Sequence, residues 1–211
     1  MKEEFLQALQ DLRKISAEKP RKFEQTVDLI LNLRDFDVRK QSLNLFVPMP
    51  HKAKDVRICA FLERQSKNFD FCITKAEIEG WQNKKDVKKL VKDYDFFVSL
   101  ASLMPKIATQ FGRVLGPVGK MPSPQLGVLA SQDETKEKEL VEKIRGMARI
   151  KAKEPSIKIA IGKEKMPDEE LVENAVAIYN AVLPALPKGR DNFRSVMLKF
   201  TMSKPVKIKF K

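Results

Sequence analysis

A turn near the C-terminal end of the chain brings together side chains that could contact an anionic partner. Residues 201–205 read Thr-Met-Ser-Lys-Pro. They offer hydroxyl groups that donate and accept hydrogen bonds, a soft thioether, an ammonium group and a proline that stiffens the chain. Apolar residues alternate with polar ones on both sides of this turn, so we expect two strands around it. The alternating apolar residues are Val196, Leu198, Phe200, Val206, Ile208 and Phe210.

The same region carries about half of the protein's excess positive charge. Residues 188–211 contain eight Lys and Arg against one acid, a net charge of +7, and the whole chain carries +13. A solubilising basic tail is one interpretation, but such a tail would lack alternating large apolar residues that must pack against something. The net charge indicates a polyanionic partner, most often nucleic acid.

Composition limits the class of protein. A chain of 211 residues with 43% hydrophobic residues is long enough for one large or two modest domains. No apolar run approaches the ~20 residues that span a bilayer, and the charged N-terminus is not typical of a signal peptide. Cys59 and Cys72 lie in apolar runs without metal-ligand spacing. We therefore expect buried free thiols in a reducing cytosol, no metal and no cofactor.

Both ends of the chain predict strands and amphipathic helices that belong to one domain. In the first helix Phe5, Leu9, Leu12 and, less strictly, Ile15 share a face. A later helix is expected to have Pro167 in its first turn. The elements expected besides the C-terminal hairpin are a helix over 4–17, strands over 27–33, 43–47, 150–152 and 157–162, and the helix that begins at Pro167.

Strands alternate with helices between His51 and Arg149, which is typical of a small α/β layer with a largely parallel sheet. We therefore predict an α/β fold in which an α+β split domain is interrupted by a Rossmann-like three-layer α/β domain. The split domain would contain 1–51 and 149–211, the inserted domain 52–148, and the two connections would act as a hinge. The elements expected in the inserted domain are strands over 56–62, 69–74 and 96–100, helices over 84–92, 106–115 and 134–148, and a Gly/Pro-dense loop over 116–127.

The loop over 116–127 invites comparison with a phosphate-binding loop because it contains Gly119-Lys120. The Walker pattern requires a glycine where this chain has Val114 and a Ser or Thr where it has Met121. A rigid turn packed by its prolines explains the loop without any ligand. The competing hypothesis for the whole protein, a nucleotide-dependent enzyme that uses the inserted domain, therefore lacks its motif. With His51 as the only histidine, a catalytic triad is also hard to assemble.

The same loop carries a family resemblance. Residues 112–124, GRVLGPVGKMPSP, closely resemble the G-x-x-L-G-P-x-G-x-M/L-P-x-P signature of the large-subunit ribosomal protein L1 family. The resemblance covers nearly the whole chain, and the short N-terminus and charged character look more like an archaeal member. Four further motifs match in order: K-F-x-x-(S/T)-V-(D/E) at 22–28, P-H at 50–51, R-S-V at 194–196 and T-M at 201–202.

The chain departs from the family pattern at two places. Ser203 stands where the family motif T-M-G has glycine, a residue that lets RNA approach the backbone closely. Ser203 would either lose some contact or compensate through its hydroxyl. Only residues 63–68 separate the strand expected over 56–62 from the next expected strand. This segment is too short for the crossover helix that family members usually have.

The resemblance implies a structural constituent of the large ribosomal subunit and not an enzyme. It implies that the split domain binds the ribosomal RNA of the mobile stalk near the tRNA exit site. It also implies that the protein assists release of exit-site tRNA and represses translation of its own mRNA. Such a protein would be cytoplasmic, bound to the ribosome, monomeric when free and not associated with a membrane.

The motifs and the chemistry of their side chains predict the RNA-binding residues. RNA is recognised through shape, 2′-hydroxyls and exposed base edges. Thr201 can bond a ribose hydroxyl, Phe23 and Met202 can pack on sugars or bases, and lysines neutralise phosphate. The predicted set is Lys22, Phe23, Glu24, Thr26, Arg194, Ser195, Thr201, Met202, Ser203 and Lys204, with a secondary RNA contact through Arg113 and Lys120.

Overall fold

The computed structural model describes residues 1–38, 43–81, 83–152 and 154–208, so the predicted apolar position Phe210 lies outside the described residues. In chain order the strands are β1 (Thr26–Leu33), β2 (Asn44–Pro48), β3 (Ile58–Leu62), β4 (Phe71–Thr74), β5 (Phe96–Leu100), β6 (Val128–Leu129), β7 (Met147–Lys151), β8 (Ser156–Lys163), β9 (Phe193–Phe200) and β10 (Val206–Lys207). The helices are α1 (Lys2–Glu18), α2 (Lys75–Ile78), α3 (Lys84–Asp93), α4 (Met104–Val118), α5 (Glu134–Arg145) and α6 (Asp168–Val182). The mixture of helices and strands confirms the predicted α/β class. None of the described helices is long and apolar enough to cross a membrane.

The chain divides into two compact units. We call Met1–Lys54 with Gly146–Lys211 the split unit, and Asp55–Arg145 the inserted unit. The sequence predicted the changes of domain at 51/52 and 148/149. The helix predicted over 134–148 is too long, because α5 ends at Arg145 and the chain then enters β7. Strand β7 pairs with β2 and is held in the split unit by that pairing.

Strand β1 lies in the middle of the split unit's main sheet, whose order is β10-β9-β1-β8. It is antiparallel to β8 on one side and to β9 on the other. Val27, Leu29, Leu31 and Leu33 are buried, and the residues between them are half-exposed. This period-two burial is what an antiparallel sheet with one covered face requires. The predicted alternation is confirmed, and β1 begins one residue earlier than expected.

Helices α1 and α6 pack together and cover the buried face of the split sheet. Phe5 of α1 meets Tyr179 of α6 edge to face, with ring centroids 6.4 Å apart. The expected inward position of Ile15 is wrong, since this side chain is 37% exposed and Ser16 is buried instead. At about 100° per residue, position 16 falls almost in line with Phe5, whereas position 15 is rotated by roughly 80°.

The inserted unit contains the parallel sheet that the sequence predicted, in the order β4-β3-β5-β6. All five residues of β3 are buried, as expected for a central strand covered on both faces. Residues 63–70 join β3 to β4 without a helix. The buried carboxylate of Glu137 holds this connection by accepting hydrogen bonds from the Ser66 hydroxyl and the Asn68 amide.

Several predicted boundaries in the middle of the chain are wrong in detail. The loop expected from Gly116 begins later, because α4 continues to Val118. Gly119 then ends the helix in the left-handed region at φ 78°, where its N–H and that of Lys120 both donate to the Leu115 carbonyl. Pro167 precedes α6 as its N-cap instead of lying in the first turn.

The two cysteines are free thiols. Cys59 is buried, whereas Cys72 is only half-buried, so the expectation that both are buried is wrong for Cys72. Burial raises the pKa of both thiols above its ordinary value. A raised pKa keeps these thiols protonated at neutral pH, and a protonated thiol is a poor nucleophile.

Candidate nucleic-acid interface

Two predicted segments that lie 175 residues apart in sequence meet where β1 begins and β9 ends. The Thr26 N–H donates to Thr201 Oγ1 at 3.1 Å, and the Thr201 N–H donates to the Thr26 carbonyl at 3.1 Å. The Thr201 hydroxyl hydrogen has only a long contact with the Thr26 carbonyl, at 3.4 Å. Because Thr201 is exposed, this hydrogen can turn toward a ligand. We call residues 22–26 and 201–204 the turn-end surface.

Ser203 closes the turn with its own side chain. Its hydroxyl accepts from the Phe200 N–H at 3.0 Å and lies 3.1 Å from the Lys204 carbonyl, to which it can donate. Among the described residues, Asp35 is the one non-glycine residue with a positive φ, so the backbone at Ser203 does not require glycine. The serine that replaces the family glycine therefore stabilises the turn internally.

The buried side chain of Gln25 holds the turn against the rest of the split unit. Its carbonyl oxygen accepts from the Met202 N–H at 3.1 Å, and its amide nitrogen donates to Ser16 Oγ at 3.1 Å. Glu164, which follows β8, accepts from Ser16 and from the Gln25 backbone N–H. Arg13 of α1 donates to the Glu164 carbonyl and pairs with Asp168. The carboxamide of Gln25 and the carboxylate of Glu164 thereby connect four segments that are distant in sequence.

Apolar side chains are unusually exposed around this frame. Met202 is 56% exposed and Phe23 is 51% exposed. Met202 lines an open groove of about 410 Å³, with Ile15 on another wall. The whole groove is lined by Ile15, Ser16, Glu18, Lys19, Arg21, Gln25, Met202, Ser203 and Lys204. Exposed apolar residues next to a rigid backbone offer a surface on which sugars or bases can pack.

Cations surround the turn-end surface and remain available. Lys19, Arg21, Lys22 and Lys204 are exposed, and none of them forms an ion pair with a residue of the described chain. Glu24, by contrast, lies 3.6 Å from the Lys163 ammonium. The free cations supply positive charge for phosphate groups, while the Glu24 carboxylate is partly neutralised by its neighbour.

Arg194 and Ser195 lie at the opposite end of β9, so the structure does not bring all predicted residues together. Ser195 is six residues before Thr201, which corresponds to about 20 Å along a strand. Its hydroxyl accepts from the Asn32 side chain at 3.0 Å, and Asn32 accepts from Ser156 at 2.8 Å. This chain of hydrogen bonds leaves the hydroxyl hydrogen of Ser195 free to donate to a ligand.

The two residues predicted as a secondary contact lie in the inserted unit and differ in availability. Arg113 is exposed on α4. The Lys120 ammonium donates to the carbonyls of Val91 and Tyr94, at 2.7 Å each, where α3 ends. It thereby stabilises the negative end of that helix. In a phosphate-binding loop the glycines precede a helix, whereas here Gly112 and Gly116 lie inside α4.

Sequence reasoning missed the buried polar residues that position the turn. Ser16 occupies a core position of α1 by its spacing. The helical pattern therefore indicated that this residue is buried, although a serine side chain does not suggest burial. Gln25 lies inside the K-F-x-x-T motif but shows no sign of being 2% exposed. Glu164 is about 140 residues away along the chain, and its role depends on tertiary structure alone.

Comparison with known proteins places the chain in a family. The family described as Ribosomal protein L1p/L10e matches residues 12–204. Proteins named "Large ribosomal subunit protein uL1" are similar to it. The Pyrobaculum neutrophilum protein is 39% identical over 90% of this chain and 87% of its own length, and that of Pyrococcus horikoshii is 38% identical over 90% and 89%. The protein of Methanothermobacter thermautotrophicus is 35% identical over 99% of this chain and its own full length.

These matches cover most of the chain at well above 30% identity, and this protein belongs to the ribosomal protein L1p/L10e family. The predicted family and its archaeal character are confirmed. A family of ribosomal proteins also confirms the prediction that the chain is not an enzyme.

We predict that Gln25→Met loosens the turn-end surface. Methionine preserves length but removes the acceptor of the Met202 N–H and the donor to Ser16. Leaving buried partners unsatisfied costs about 1–3 kcal/mol of the free energy of unfolding, and the Met202 N–H should exchange faster with solvent. Urea unfolding and amide hydrogen exchange measure both effects. Gln10→Met, the same substitution at an exposed position of α1, should change stability by less than about 0.5 kcal/mol; equal effects would contradict a special role for Gln25.

A second prediction concerns Asp28, whose cross-strand neighbour on β9 is Lys199. Burial raises the pKa of Asp28 more than Lys199 lowers it. The folded state therefore binds this proton more tightly than the unfolded state, and the ionised carboxylate destabilises the fold at neutral pH. Asp28→Asn should be more stable than the wild type near neutral pH, with the difference shrinking as the pH falls through the carboxyl range near about 4. Urea unfolding at both pH values tests this, and a less stable variant at neutral pH would mean that the Lys199 pair dominates.

Proposed function

We propose that this protein is a constituent of the large ribosomal subunit that binds the ribosomal RNA of the mobile stalk near the tRNA exit site. The split unit, predicted as 1–51 with 149–211, would be the RNA-binding domain. Its turn-end surface would make the specific contacts. The protein would act on the ribosome in the cytoplasm, without a cofactor. The names of the related proteins and the family resemblance support this assignment.

One observation carries the proposal. The predicted segments 22–26 and 201–204 meet where hydrogen bonds at Thr26, Thr201 and the Met202 backbone N–H fix the turn. The side chains of Phe23 and Met202 are exposed on these two segments. A rigid surface of this kind loses little conformational entropy when RNA binds. The hydroxyl of Thr201 and the free cations add hydrogen bonding and charge at the same place.

The remaining predicted residues would make contacts outside the turn-end surface. Arg194 and Ser195 would meet RNA about 20 Å along the strand from the turn, which suits an extended folded stalk better than one nucleotide. Arg113 would make the secondary contact from the inserted unit. Lys120 would contribute less, because its ammonium is engaged with backbone carbonyls.

Two further roles rest on the family resemblance. The protein would assist release of exit-site tRNA and would repress translation of its own mRNA by binding that mRNA. Sequencing the RNA that co-purifies with the protein tests the central claim. One region of large-subunit ribosomal RNA should dominate, and a random sample of cellular RNA would contradict it.

We predict a salt dependence that reflects a limited number of phosphate contacts. If the interface neutralises about five phosphates, the slope of log affinity against log salt should be roughly −4, at ~0.7–0.9 per contact. Titrations of the stalk RNA at several salt concentrations give this slope. A slope near zero, or equal affinity for unrelated RNA of the same length, would contradict the proposal.

Thr201 and Lys204 should affect binding in different ways. Thr201→Ala removes a hydroxyl that faces both Thr26 and the ligand, so it should weaken the stalk RNA five- to a hundredfold, about 1–3 kcal/mol, with little change in slope. Lys204→Ala should weaken all RNAs alike and reduce the slope by about one. Thr201→Ser retains the hydroxyl and is the matched control, while Thr201→Val retains the shape alone. If Thr201→Ala is silent and Lys204→Ala abolishes specificity, the hairpin acts only as a charged tail.

A further inference from the structure

Helix α3 of the inserted unit presents a dense row of lysines. Lys84, Lys85, Lys88, Lys89 and Lys92 are all exposed. At about 100° per residue they lie within an arc of about 140°. The buried face of the helix consists of Val87, Leu90 and Val91. We call the five exposed residues the lysine stripe.

Most of the lysine stripe opposes the stability of its own helix, and only Lys92, in the last turn, lies where the helix dipole favours a cation. Lys84 and Lys85 occupy the first turn, where the helix dipole favours acids. Lysines four residues apart, such as Lys84 with Lys88 and Lys88 with Lys92, repel each other. None of the five forms an ion pair with any residue that the structure describes. A face that served only solubility would be more stable with alternating charges.

We propose that the lysine stripe binds the phosphate backbone of double-stranded RNA. The stripe runs straight for about 12 Å, at 1.5 Å per residue. It contains only ammonium groups, which attract phosphate as point charges and lack the planar fork with which arginine makes bidentate contacts. The helix carries no aromatic side chain, whereas single-strand sites combine cations with stacking aromatics. A duplex backbone fits these features.

The same features disfavour an anionic membrane as the partner. A helix that lies on a membrane inserts the apolar residues of its exposed side. The apolar residues of α3 are Val87, Leu90 and Val91, and all three are buried within the inserted unit. The stripe therefore offers charge without an apolar anchor. It is a separate contact that does not depend on the turn-end surface.

The test uses the full-length chain carrying Lys85→Gln, Lys88→Gln and Lys92→Gln together. Binding is measured to a plain RNA duplex of about 16 base pairs, the length covered by small duplex-binding domains. Losing three phosphate contacts should reduce the salt slope by about two to three. The temperature of unfolding should change little, because relief of repulsion between lysines four residues apart offsets the loss of Lys92 from the last turn, where the helix dipole favours a cation.

A matched variant removes the same charge elsewhere in the inserted unit. Lys67→Gln, Lys138→Gln and Lys143→Gln replace exposed lysines of the 63–70 connection and α5. This variant should change the slope by less than one. If the two triple variants have equal effects, binding depends on net charge alone and the lysine stripe is not a site.

Three further probes identify the partner and separate this inference from the proposed function. The stripe variant should lose affinity for an unmodified tRNA transcript as well as for the plain duplex. A loss confined to tRNA would overturn duplex recognition. Vesicles containing phosphatidylserine should bind the wild type and the stripe variant equally weakly, and a loss with vesicles comparable to that with RNA would overturn the choice of RNA. Preference for stalk RNA over the plain duplex measures the contacts of the proposed function and not the lysine stripe. Its absence would contradict the proposed function, while the slope with the plain duplex would still decide the stripe.

Discussion

The carboxamide of Gln25 is the interaction on which the geometry of the split unit's functional end depends. It accepts from the Met202 N–H and donates to Ser16, while Glu164 completes the network. Helix α1, the start of β1, the segment after β8 and the hairpin turn are thereby joined at one point. Because buried polar groups are costly when unpaired, each member of the network favours the same arrangement of the others. The turn is consequently fixed before any ligand arrives.

The fixed turn lies beside exposed residues that do not contribute to stability. Phe23 and Met202 leave apolar surface in water, and Asp28 holds a carboxylate in a site that disfavours its charge. Helix α3 likewise carries cations where its dipole favours acids. Each of these features lowers stability locally. Within the split unit, the buried core under the sheet and the hydrogen-bonded network around Gln25 contribute stability that opposes the local cost.

The elements were predictable from sequence wherever a periodic pattern determined them. Alternation in β1 and β9 and the apolar stripes of α3 and α6 gave the fold class and most of the core. Boundaries failed where tertiary pairing overrides local preference, as at β7, which takes over the end of a predicted helix by pairing with β2. The motifs predict Thr201 and Phe23 as RNA-binding residues. They could not reveal Gln25 and Glu164, because a buried hydrogen bond between distant segments leaves no local pattern.

The central position of β1 determines when the main sheet of the split unit can form during synthesis of the chain. Its two neighbours, β8 and β9, begin at Ser156 and Phe193, long after β1 leaves the site of synthesis. The strand must therefore wait, without its partners, while the 91 residues of the inserted unit are translated. The joint between Thr26 and Thr201 forms only when nearly the whole chain exists. An unfinished chain consequently cannot display the complete turn-end surface.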